Sequence, residues 1–66
     1  MEPWQERVVD EKRELDGRIE RLSAFLEGPA ERDAVDASLL VSQLEVMRDY
    51  SRLLGMRIRR FDRPCG

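Results

Sequence analysis

QLEVMRDYSRLLGMRIRRF, residues 43–61, decides the fold. Within a stretch beginning at about residue 37, Leu40, Leu44, Met47, Ser51, Leu54, Ile58 and Phe61 recur at a spacing of 4-3-4-3-4-3. That is the signature of a helix lying along another helix in a coiled-coil-like seam. A second row, Leu39, Val46 and Leu53, lies roughly 120° away on a wheel of 100° per residue. Gln43, Tyr50 and Arg57, each seven residues apart, fall between the two rows. A single neighbouring helix covers a stripe of only about 100°. The second row therefore calls for a further partner, or is simply exposed, as scattered surface apolar residues often are. Three in register, one per two turns, favour self-association.

The preceding residues supply the first partner. Pro3 suits the first position of a helix, where a fixed φ and a missing N–H cost nothing. Trp4, Val8, Leu15, Ile19, Leu22 and Leu26 share one face, with Glu and Arg filling most other positions. Beside that face run Glu11, Arg18 and Phe25, again seven apart. Gly28 and Pro29 end the helix, with Gly28 free to take the left-handed position. Asp36, with Asp33 as rival, is the expected cap of the second helix, and Val35 could staple onto Leu40. Gly55 inside that helix costs about 1 kcal/mol relative to Ala and permits close approach of a neighbour.

The expectation is an all-α fold: a two-helix antiparallel hairpin assembling into a helical-bundle homo-oligomer. Helices span about residues 3–27 and 37–61, each roughly 35 Å long. Residues 28–36 connect them, and 62–66 form a disordered tail.

Composition narrows the function. Sixty-six residues make one domain at most, and chains this short are marginal without a metal, disulfides or oligomerisation. Cys65 is the single cysteine, so no intrachain disulfide forms, and an exposed tail thiol has no evident use. With no histidine and no CxxC, no zinc site, metal or cofactor is expected. No apolar run approaches the ~20 residues of a membrane span. MEPWQER is acidic and lacks the apolar stretch of a signal peptide, so a cytoplasmic location is expected.

The chain is 39% charged with a net charge of -2. Residues 1–27 hold eight acids and five bases, whereas Arg57, Arg59, Arg60 and Arg63 crowd the other end. These arginines complement a helix macrodipole as readily as they meet phosphate. Arg48, Arg52, Arg59 and Arg60 share an outer face with Glu45 and Asp49, which argues against DNA or RNA polymer binding. No nucleophile–base set and no phosphate loop is present, so an enzyme is not expected.

The Gln43, Tyr50 and Arg57 row carries the most chemistry. Tyr offers a ring face and a hydroxyl, Arg a planar fork for phosphate, and Gln a donor and an acceptor. In the alternative reading these side chains only pack, with Arg57 ion-paired to Glu11. Lys12 interrupts the first stripe between Val8 and Leu15. It could snorkel, pair with an acid, or face an anionic ligand.

Taken together, ERVVDEKRELDGRIERLSAFL and LLVSQLEVMRDYSRLLGMRIRRF resemble a family of short phage and prophage proteins, labelled crAss-phage-related small proteins. The resemblance covers residues 6–61. It rests on Glu11, Leu15, Ile19, Leu22 and Phe25, and on Leu40, Gln43, Met47, Tyr50, Leu54, Arg57 and Ile58. The string Q-x3-M-x2-Y-x6-R-I is more specific than a generic heptad. It implies a phage-encoded accessory protein acting in the bacterial host cytoplasm. By analogy of size, helicity and residue type, the chain is also similar to anti-CBASS sponges, which oligomerise and sequester cyclic oligonucleotide immune signals. On that analogy Tyr50 stacks on a base, Arg57 and Lys12 grip phosphates, and Gln43 and Glu11 complete the site. Leu39, Val46, Leu53 and Phe25 join the copies. The alternative is a helical protein–protein interaction module that uses the same apolar row to bind and inhibit a host defence protein.

Overall fold

The computed structural model describes residues 1–29 and 31–61. Two helices, α1 (Pro3–Glu27) and α2 (Ala34–Arg59), lie antiparallel as a hairpin. At its open end the rings of Trp4 and Phe61 meet edge to face, 5.1 Å apart. The rod measures 52 × 17 × 14 Å. That is two helix diameters in section, so each helix keeps most of its circumference in contact with solvent.

Local chemistry sets the helix ends. Pro3 opens α1, and the Gln5 side chain accepts the Glu2 N–H at 2.8 Å, half of a capping box. Gly28 ends it, but not in the expected left-handed conformation. Its φ is -74° and its ψ 169°, because Pro29 drives the residue before it into extended backbone. The orphan carbonyls are met differently. Phe25 O accepts the Gly28 N–H at 3.2 Å and an Arg32 guanidinium N–H at 2.7 Å. The same guanidinium lies 4.4 Å from the centre of the Phe25 ring, a cation–π contact that fastens the loop to the end of α1.

The second helix starts three residues before the expected position. Asp33 is its cap and accepts the Val35 N–H at 2.7 Å, so Asp36 falls in the first turn, where a carboxylate favours the helix dipole. Val35 therefore sits inside α2, 66% exposed, and does not form the staple on Leu40. Helix α2 closes at Arg59, two residues before the expected end, with Arg60 as its cap. The expected tail, residues 62–66 with Cys65, lies outside the described residues.

One seam holds the hairpin. Val8, Leu15, Leu44 and Leu54 are buried, with Ile19, Met47, Ile58 and Phe61 packed on the cluster around Leu54. These are the two stripes of the 4-3 pattern, facing each other. Among the described residues Leu54 alone is fully enclosed. No helix among the described residues is long and apolar enough to cross a membrane.

Leu54→Ala is expected to cost about 2–5 kcal/mol, most of what a chain this small has to lose. Urea unfolding followed by circular dichroism checks it; a loss under about 1 kcal/mol would mean that Leu54 is not the keystone of the seam.

Candidate functional site

The seam has two edges, and each carries polar side chains. Consecutive residues stand 100° apart on a helix, so Glu11 and Lys12 leave α1 on opposite sides of the seam. On one edge Tyr50 of α2 donates its hydroxyl to the Glu11 carboxylate of α1. The Tyr50 ring is 41% exposed. Arg57 is close enough for its charge to be felt at the phenol, and it makes no ion pair among the described residues. The expected alternative, Arg57 ion-paired to Glu11, is not adopted. Gln43 is exposed, with only a weak contact to the Met47 sulfur at 3.9 Å. Towards the loop this edge opens into a cleft of ≈ 440 Å³ lined by Phe25, Arg32, Leu39, Leu40 and Gln43, with Glu31 and Asp36. Glu11, Phe25, Gln43, Tyr50 and Arg57 therefore share one flank of the hairpin. The row Leu39, Val46 and Leu53 runs beside them, each residue more than half exposed.

Lys12, expected in the same site, belongs to the other edge. Its ammonium pairs with Asp16 at 2.7 Å, one turn along α1. Its stem crosses Gly55, where an added Cβ would stand 3.2 Å from Lys12 Cε. Gly55 is thus the gap through which a long cationic side chain passes the second helix. The second Asp16 oxygen accepts the Ser51 hydroxyl at 2.5 Å. Ser51 is buried in the seam, and this bond satisfies the one polar group that the apolar pattern placed there.

Electrostatics follow the hydrogen bonds. The Glu11 carboxylate holds the proton on Tyr50 and raises the phenol above its ordinary value. Hydrogen bonds from Lys12 and then Ser51 lower Asp16 below the usual carboxylate range. Two participants were not anticipated from sequence. Arg32 sits in a loop with no periodicity to reveal it. Asp16 could have been found by asking which acid on α1 could reach Ser51.

Chemically, the Tyr50 edge offers an exposed aromatic ring with its hydroxyl held by a carboxylate, and a guanidinium without an ion pair among the described residues. It suits binding of a planar, anionic molecule. No cluster of three or more metal-ligating side chains occurs among the described residues. Among known families, the Sequestin model matches residues 2–60, so the chain belongs to the Sequestin family. No curated protein and no solved structure matches the chain.

Two titrations check this geometry. Tyr50 is the sole tyrosine, so ultraviolet phenolate absorbance reports it alone. The raised phenol means that its bond to Glu11 stabilises the fold below the unfolded tyrosine value and is lost as pH rises through the folded one. Glu11→Gln is expected to bring the titration down towards about 10; an unchanged curve would remove the Tyr50–Glu11 bond. For Asp16 the sign is opposite. Its contribution is present above about pH 4 and fades as pH falls through its lowered value. Asp16→Asn should therefore cost about 0.5–1 kcal/mol at neutral pH, a surface-pair magnitude since the carboxylate is 44% exposed. The gap between variant and parent should close in acid, as read by denaturant unfolding at a series of pH values.

Proposed function

From its membership of the Sequestin family, we propose that this chain is a phage-encoded, non-catalytic counter-defence protein of the host cytoplasm. In this reading it self-associates and sequesters a cyclic oligonucleotide immune signal. The family name itself supports sequestering. The observation that carries the choice of ligand is the Tyr50 edge, where an exposed ring anchored by Glu11 stands near Arg57, which makes no ion pair among the described residues. A base stacks on the ring, Arg57 takes a phosphate, and Gln43 reads a base or ribose edge. Lys12, neutralised by Asp16 on the far edge, has no part in this site.

A second reading has its own support in the exposure of Leu39, Val46 and Leu53 at 63%, 67% and 55%. In it the apolar row docks on a host protein and no small ligand is bound.

Thermal unfolding against a panel of cyclic di- and trinucleotides separates the two. A ligand that binds only the folded state at a hundred times its Kd adds about 2.7 kcal/mol. In a chain this small that raises Tm by roughly 10 °C or more. The rise should vanish in Tyr50→Ala and Arg57→Ala. A flat panel at concentrations well above micromolar would sink the sequestering reading. Loss of a host partner on Val46→Glu, with indifference to nucleotides, would establish the second.

A further inference from the structure

The exposed side of α2 is longer than the row of three. Val35, Leu39, Ser42, Val46, Asp49, Leu53 and Met56 follow one another at 4-3-4-3-4-3, a second seam at right angles or more to the first. All seven are exposed, and Val35, Leu39, Val46, Leu53 and Met56 are 49–67% so. A second copy of the chain fits this seam, and the residue order says how. Leu39 and Leu53 stand seven residues on either side of Val46. An antiparallel two-fold centred on Val46 sets Val46 on itself and each Leu39 on the partner's Leu53. It also places Met56, about 15 Å from the centre, against the partner's Val35 at about 16.5 Å. Asp49 then meets the partner's Ser42, whose hydroxyl can donate to it. A parallel pair would keep the leucines matched but would set Asp49, with its Arg52 ion pair, on the partner's Asp49, and Arg57 and Arg60 beside their own copies. Like charges in register oppose that arrangement.

The two-fold leaves both copies of α1 on the same side of the new seam, giving a four-helix bundle. Tyr50 lies about 6 Å from the Val46 centre, and the partner's Gln43 about 4.5 Å from it in the same direction. Both project from the flank that faces α1. We propose that two chains pair antiparallel through α2 about Val46, and that each ligand site is shared, Tyr50, Glu11 and Arg57 of one protomer facing the partner's Gln43. This deepens the sequestering reading and rests on its self-association. Every measurement below omits nucleotide, so failure here and failure of ligand binding are told apart.

Sedimentation equilibrium of the full chain should give twice the 7.8 kDa protomer mass. Orientation is read by two double variants. Leu39→Glu with Leu53→Lys places opposite charges face to face in the antiparallel pair, and Leu39→Glu with Leu53→Glu places like charges there. The first should dimerise about tenfold or more tightly than the second. In a parallel pair both variants repel alike. A nitroxide on Ser38→Cys, in a Cys65→Ser background, keeps the native seam. The antiparallel pair separates the labels by about 24 Å along the axis, against about 10 Å side by side in a parallel one. Finally, Tyr50→Phe and Gln43→Ala should couple by about twofold or more in the dimer dissociation constant. Within one chain the two residues are two turns apart, so coupling reports contact between protomers. A monomer at all concentrations, equal double variants, or closely spaced labels would overturn the pairing. Additive effects of the Tyr50 and Gln43 changes would overturn the shared site.

Discussion

Everything in this molecule depends on the limit that two helices place on burial. A hairpin two helices thick gives each helix one covered stripe and no more. Leu54 sits where that stripe is best sealed, and Val8, Leu15 and Leu44 extend it. The remaining apolar residues of α2 have no place to go within the protomer. Their exposure is not a packing defect to be repaired by a rotamer change, since no third element exists among the described residues to cover them. The architecture thus generates a second surface as a direct result of the first being complete.

The polar side chains divide along the same geometry. On one edge Lys12, Asp16 and Ser51 neutralise and satisfy one another, with Gly55 making room. That edge is closed in the chemical sense, because each group has its partner. On the other edge, Glu11 holds the Tyr50 hydroxyl, while Arg57 and Gln43 have no strong partner among the described residues. The two edges thus differ in whether their charges are already neutralised within the hairpin.

The hairpin was legible in the sequence because its determinants are periodic. The two stripes, the Pro3 start and the Gly28–Pro29 break are all local or repeating signals. The connection was less so. Asp33 and Asp36 are equivalent as caps by residue type, and the choice between them is a matter of how many loop residues the antiparallel turn needs. Gly28 followed the general habit of glycine at helix ends only until Pro29 overrode it. The site was half legible. The heptad relation of Gln43, Tyr50 and Arg57 placed them on one flank, and Glu11 with them. Lys12 was misplaced because its neighbour in sequence, Glu11, points to the opposite side, a distinction that a list of polar residues conceals and a helical wheel preserves. Arg32 lay beyond any pattern, since a loop side chain that returns to cap a helix leaves no period behind it.

The ring contact between Trp4 and Phe61 makes the molecule directional. It brings the beginning of α1 and the end of α2 to one pole, while the Arg32-fastened turn occupies the other. Among the described residues, the start of α1 and Phe61 therefore both lie at that pole. In a lone hairpin, groups attached beside Trp4 and beside Phe61 would therefore travel on one tip. In a pair of hairpins laid head to tail, the same attachments would point away from each other, turning a small rod into a two-ended connector.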